Sequence, residues 1–322
     1  MHVIDQARTR HHLRFETLIP ALRQMFVAGC EVPLRHRHDI GGQGGSILLM
    51  PAWQVGGFLG IKTVSIFPAN RQHGLPGLHA AYLLMDAATG VPLALLDGNE
   101  ITARRTAAAS ALAASYLARP DARRLLVVGA GRVARLLPQA YLAVRPCVTV
   151  TVWTRRREPG LRLVEELIGD GFDATLAEDL EAAVGSADIV SCATLSEAPL
   201  VQGAWLRPGT HLDLIGGFAP AMRESDDACF VGSRVFIDTD EALLKAGDLL
   251  APIASGVFRA VDVCATLTGL CRGAHAGRAD ARDITVFKSV GSALEDLAAA
   301  TLVYQGEILM AAKHSDACSK PA

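Results

Sequence analysis

The chain has 322 residues, half of them apolar, and a formal charge of −2 from 31 basic and 33 acidic side chains. That length can bury a sizeable core and calls for about two domains. Near-neutral charge and an aromatic content of 5% exclude a nucleic-acid binder built on a basic field or a stacking platform.

Seven scattered cysteines without C-x-x-C spacing are expected to be reduced thiols, with no metal site. Arg8, Arg10, His11, His12 and Arg14 precede any long apolar run, so no signal peptide is expected. Nothing reaches the roughly 18 apolar residues of a membrane helix, and the expected location is the cytoplasm, with neither membrane nor nucleic acid as partner.

In chain order, the region to about residue 118 opens with an expected helix over 14–28. Strand-like runs follow at 46–50, 60–67, 80–86 and 92–96, separated by Gly, Pro and Asn. They predict an antiparallel sheet, with Thr89-Gly90 and Asp97-Gly98 as turns between successive strands. The Ala-rich run 102–117 predicts a helix that places Arg104 and Arg105 in its first turn, where cations oppose the dipole. Arg35, Lys62, Arg104 and Arg105 all adjoin apolar runs. Either a carboxylate-bearing substrate meets them or they snorkel to water.

Residues 121–124 link into the second region. There Leu125-Leu126-Val127-Val128 passes through Gly129-Ala130-Gly131 into a helical pattern over 133–144, which reads as the strand, turn and helix of a dinucleotide-binding unit. A side chain at Gly129 or Gly131 would block close approach to a pyrophosphate, and the helix start would present free N–H groups to it. Further strands at 148–153, 188–193, 211–215 and 234–237 predict a parallel sheet. The second strand ends in Trp153-Thr154-Arg155-Arg156-Arg157, with no acid for a ribose 2′-hydroxyl. The arginines suit a 2′-phosphate, unless they form only a solvated basic turn.

The expected cofactor is therefore NADP(H), with NAD(H) as the alternative. Its contacts are expected from Gly129, Ala130, Gly131, Arg132, Val133, Thr154, Arg155, Arg156, Thr106 and Ser289. Runs 243–247 and 261–270 predict surface helices, and 284–288 leads into a final helix from 290 to about 312.

The run from Asp97-Gly98-Asn99-Glu100 to Arg104-Arg105-Thr106-Ala107-Ala108 resembles the ornithine cyclodeaminase and μ-crystallin family. So do Pro33-Leu34-Arg35, Met50-Pro51-Ala52-Trp53, Gly60-Ile61-Lys62-Thr63-Val64, Thr285-Val286-Phe287-Lys288-Ser289-Val290-Gly291 and Ala293-Leu294-Glu295-Asp296, in the family's order. The resemblance implies a homodimer whose first domains pair their sheets into a shared barrel, with an active site between the two domains of each chain. It also implies a lysine and two arginines around a substrate carboxylate, which fall on Lys62, Arg35 and Arg105. Arg35 is preferred to Arg37 for its distance to Met50-Pro51.

The fold class expected is thus α/β, with a Rossmann-type dinucleotide-binding domain over 119–289. An α+β dimerisation and substrate domain takes 1–118, with 290–322 packing back on it.

One departure bears on activity. Cyclodeaminases of the family carry an aspartate after the glycine pair that here reads Ile215-Gly216-Gly217-Phe218, and Phe218 cannot take a proton or pair with an ammonium group. Phe218 is accordingly a substrate-pocket residue, and the resemblance implies an NAD(P)H-dependent reductase of a cyclic imino acid. The substrate would be delta-1-pyrroline-2-carboxylate, delta-1-piperideine-2-carboxylate or both, giving L-proline or L-pipecolate. Lys62 is the first candidate proton donor and His79 the second, a lone histidine beside an apolar strand being otherwise structural. The alternatives are a cyclodeaminase or amino-acid dehydrogenase with bound NAD, or a crystallin-like NADPH-binding protein without turnover.

Overall fold

The computed structural model describes all residues except 42, 43, 148 and 319–322, together with the side chains other than those of 71 and 313–318. The chain divides into two compact units, residues 1–105 with 292–322, and residues 106–291. The first division falls inside a helix rather than at the expected 118/119 boundary.

The first unit contains β1 (His2–Ile4), α1 (Gln6–His12), α2 (Phe15–Ala28), β2 (His36–Ile40), β3 (Gly45–Trp53), β4 (Phe58–Ile66), β5 (Leu78–Asp86) and β6 (Pro92–Asp97). They form one sheet in the order β1-β6-β5-β4-β3-β2. It is antiparallel except for β1, which pairs parallel with β6. Neither edge strand was expected. β1 is three residues long, and β2 reads His-Arg-His-Asp-Ile with every residue exposed, so neither shows an apolar alternation to detect.

The inner strands do alternate. Gly60, Lys62 and Val64 of β4, Tyr82 and Leu84 of β5, and Ala94 and Leu96 of β6 are buried. Registers Met50↔Lys62, Lys62↔Tyr82 and Tyr82↔Leu96 align three of these residues with buried Met50 of β3 in one row across the sheet.

Asp97-Gly98 does not turn one strand into another. Asp97 Oδ1 accepts from the Glu100 N–H (2.7 Å) and opens α3 (Gly98–Leu117). The helix therefore starts four residues before the expected 102, and Arg104 and Arg105 lie in its second turn, away from the unfavourable end of the dipole.

The second unit carries β7 (Arg124–Val128), α4 (Leu137–Leu142), β8 (Thr149–Trp153), α5 (Arg157–Gly169), β9 (Asp173–Leu176), α6 (Leu180–Ser186), β10 (Ile189–Cys192) and β11 (His211–Leu214). It continues through β12 (Arg234–Ile237), α7 (Ala242–Lys245), α8 (Gly247–Ala254), β13 (Val263–Thr266), α9 (Leu267–Cys271) and β14 (Thr285–Lys288). Its eight strands are all parallel, in the order β13-β12-β14-β11-β10-β7-β8-β9. The order reverses between β7 and β10, and ligands of such sheets bind at that switch point, beyond the carboxyl ends of the strands.

Three expectations need correction here. The helix after the glycine turn is shorter than 133–144. A 3₁₀ turn at Ala134–Leu136 precedes α4, because Pro138 has no N–H for the Ala134 carbonyl, which accepts from Leu137 instead. Residues 261–270 are not a helix, since β-branched Val263 and Thr266 bound a sheet-edge strand and the Thr266 hydroxyl caps α9 at Gly269 N. The run 284–288 is not a lead-in to the last helix but holds an interior strand, β14 over 285–288, buried at every position. The expected strand over 148–153 begins outside the described residues at 148, and β8 covers the rest.

The chain then returns to the first unit through α10 (Ala293–Cys318), which packs against α2, β3 and β4. Residues 319–322 of the expected C-terminal segment lie outside the described residues.

Candidate active site

Lys62 occupies an inward position of β4 that alternation reserves for an apolar side chain, and it is 2% exposed. Its ammonium lies 2.6 Å from Asp296 Oδ2. The other Asp296 oxygen, Oδ1, accepts from Arg105 Nε (3.0 Å), while Arg105 Nη1 donates to Glu295 Oε2 (2.6 Å). Both acids sit in the first turn of α10, where carboxylates also suit the helix dipole.

Burial drives the Lys62 ammonium down most strongly, Asp296 opposes it, and Arg105 and Arg35 push it down further, so that it titrates at about 8. Burial would raise Asp296, but Lys62 and Arg105 outweigh it and hold its carboxyl below the usual range. The structure thus brings Lys62 and Arg105 together on one carboxylate, with Arg35 near enough to act on Lys62.

Asp296 and Glu295 carried no expected role. The available signal was an adjacent acid pair inside the apolar run Ala293-Leu294-Glu295-Asp296-Leu297-Ala298. Tyr82, cross-strand from Lys62 and fully buried, was also missed.

Two cations leave the anion argument. Arg104 donates to Glu100 Oε1 (2.8 Å) and to the Leu13 carbonyl (3.1 Å), with its guanidinium over the Phe15 ring. Arg37 is exposed and donates to Asp39 (3.0 Å). His79 is exposed on β5 and, by strand alternation, points to the face opposite Tyr82 and Lys62, so the first unit does not bring it to the cluster.

In the second unit, the glycine turn follows β7 at the switch point. Gly129 has φ +121°, and a Cβ there would stand 2.7 Å from the Ala193 carbonyl oxygen. This glycine is required by the loop after β10, whatever binds. Gly131 differs, because a Cβ there would meet nothing within 4 Å. That open space beside exposed Gly131 and Arg132 fits a pyrophosphate, as the motif requires.

At the end of β8, Arg155 Nη2 donates to Ser196 Oγ (3.3 Å), and the Thr154 hydroxyl donates to the Arg156 carbonyl (2.6 Å). Arg155, Arg156 and Arg157 are exposed, and Arg157 opens α5 and pairs with Glu178 (2.7 Å). Thr106 lies in α3, and Ser289 is buried directly after β14. Phe218 is 41% exposed in the turn after β11.

The family model for the ornithine cyclodeaminase/mu-crystallin family matches residues 3–308. The chain belongs to this family. A delta(1)-pyrroline-2-carboxylate reductase of Paracoccus denitrificans is 42% identical over 295 residues, which span 90% of this chain and 92% of the relative. Among solved structures, the delta(1)-pyrroline-2-carboxylate reductase of Thermococcus litoralis in complex with NADH and L-proline superposes with a TM-score of 0.92 at 33% identity. The match covers 97% of this chain and 98% of that one. An archaeal alanine dehydrogenase dimer with bound NAD follows at a TM-score of 0.89 and 27% identity, covering 96% and 97%.

Proposed function

We propose that this family member reduces a cyclic imino acid, delta-1-pyrroline-2-carboxylate, delta-1-piperideine-2-carboxylate or both, to L-proline or L-pipecolate. The observation that carries the reading is the buried Lys62–Asp296–Arg105 cluster, in a chain that matches a proline-bound reductase over nearly its whole length. A nicotinamide cofactor, with its pyrophosphate at the glycine turn, would supply hydride to the ring C=N carbon, and the ring nitrogen would keep or gain one proton.

The chain's own contribution is positional and electrostatic. Arg35, Lys62 and Arg105 hold the substrate carboxylate, and by cancelling its charge keep the C=N carbon electron-poor. Asp296 fixes the two buried cations in place. Lys62, titrating at about 8, holds a proton at neutral pH and can pass it to the ring nitrogen. Phe218 offers an apolar wall in place of an acid.

NADP(H) is the proposed preferred cofactor, supported by exposed Arg155 and Arg156 and by the lack of an acid at the end of β8. The proposed assembly is a homodimer formed through the first unit's sheet. The proposed setting is the cytoplasm, which suits the thiols of Cys30, Cys147, Cys192, Cys229 and Cys264. The test is a spectrophotometric panel of five- and six-membered cyclic ketimines against NADPH and NADH, with ammonia release from L-ornithine assayed in parallel. Nicotinamide oxidation with a ketimine and no ammonia is expected. Ammonia from ornithine without ketimine turnover overturns the reading.

A further inference from the structure

The turn that carries Phe218 rests on buried charge that the proposed chemistry does not use. Glu224 has no exposed surface, yet its carboxylate takes three donors from two different strand ends. Oε1 accepts from the Thr194 N–H (2.6 Å) and the Thr194 hydroxyl (2.8 Å), beyond β10, and Oε2 accepts from the Gly216 N–H (2.6 Å), beyond β11. The Glu224 N–H is fixed in turn by Asp248 Oδ1 (2.7 Å), and Asp248 Oδ2 pairs with Lys288 Nζ (3.0 Å).

The glycine pair exists to let this turn lie on the carboxylates. A Cβ on Gly216 would stand 1.7 Å from the Thr194 carbonyl oxygen and 2.5 Å from Glu224 Oε1. One on Gly217 would stand 2.4 Å from Asp248 Oδ2. The loop at Ala193 and Thr194 is the same one that presses on Gly129. One carboxylate therefore ties the Phe218 turn to the loop that backs the glycine turn.

We propose that Glu224 is a positioning residue for the reduction, clamping the Phe218 turn to the switch-point loop while ionised and loosening that clamp when it takes a proton. The inference rests on the reading that Phe218 borders the substrate. An ionised carboxylate only accepts, so all three donors are satisfied. A protonated one can direct its hydrogen only to the Thr194 hydroxyl, the one donor of the three that also accepts, and the bonds that remain are neutral and about half as strong.

The groups facing Glu224 are Lys288 from β14, Asp248 from α8 and Cys192 from the end of β10. Asp213 of β11 is occupied by Ser110, Ser191 and Tyr141. Burial raises Glu224 most, Lys288 lowers it, Asp248 raises it and Thr194 lowers it, which places its titration at about 7. Lys288 is already paired with Asp248, so Glu224 adds a second buried negative charge to a single cation.

The test compares wild type with Glu224→Gln, which keeps the side-chain size but never ionises. Hydrogen exchange of the segment 212–222 and ketimine KM are read from about pH 6 to pH 8.5, a window that brackets the titration. In wild type, KM should fall as pH rises through about 7, and exchange corrected for its intrinsic rate should slow by about tenfold, the difference between charge-assisted and neutral hydrogen bonds. In Glu224→Gln both profiles should stay at the acidic, loosened values up to about pH 7.5, above which only the Lys62 titration moves KM, with kcat changed less than KM.

A variant that keeps the wild-type acidic limb on the same substrate, or wild-type exchange independent of pH, overturns the proposal. The wild-type exchange profile requires no variant to fold. It also decides the clamp if no ketimine is turned over, a result that would count against the functional reading alone.

Discussion

Asp296 is the shared counter-charge of Lys62 and Arg105, so a change at any of the three strands the others. Asp296→Asn leaves two buried cations facing a neutral amide. Breaking a buried pair by removing one partner costs about 3–5 kcal/mol, and chemical denaturation should show a loss of that size. Lys62→Met or Arg105→Leu should abolish turnover, and each also deprives Asp296 of a cation, so folding must be measured alongside activity. Lys62 titrates at about 8 and must be protonated to donate and to hold a carboxylate. At saturating ketimine, kcat should therefore hold below about pH 8 and fall roughly tenfold per unit above it. A rate unchanged to pH 9.5 would remove Lys62 as donor.

The lysine and arginine were legible as cations beside apolar runs. Their internal partners were not, because sequence does not show that the first turn of α10 is buried all round.

At the scale of elements, the two glycines after β7 have separable duties. Gly129→Ala must adopt φ +121° and push the Ala193 carbonyl away, so it should destabilise the ligand-free protein by about 1–3 kcal/mol. Gly131→Ala has open space and should leave that stability unchanged while weakening NADH binding at least tenfold by calorimetry, since its methyl enters the pyrophosphate path. At the end of β8, replacing Arg155 and Arg156 together by Ala should raise KM for NADPH much more than for NADH. Equal effects would remove the 2′-phosphate argument.

The glycine motif is local chemistry and could be read directly. The length of α4 and the strand at β13 could not, because Pro138 and a sheet edge overrode a helical-looking pattern.

For the whole molecule, nicotinamide binding should appear as thermal stabilisation. NADH at 100 times its Kd adds about 2.7 kcal/mol to the native state. For a body the size of the second unit this is about 5–10 °C in Tm, provided only the native state binds. Sedimentation should give twice the chain mass if the first unit's sheet forms the dimer, and a monomer at micromolar concentration would remove that assembly.

The sequence by itself determined the parallel nucleotide-binding sheet, the glycine turn, the Lys62 and Arg105 cations and the substitution at Phe218. The sheet and the turn are written in apolar periodicity and glycine freedom, Lys62 and Arg105 are legible as cations beside apolar runs, and Phe218 stands out only through the family resemblance. Only the tertiary structure decided which charges meet. Asp296 reaches Lys62 across 234 positions of chain, and Glu224 joins the ends of β10 and β11. Burial and pairing of that kind come from packing between distant segments, which no local pattern encodes.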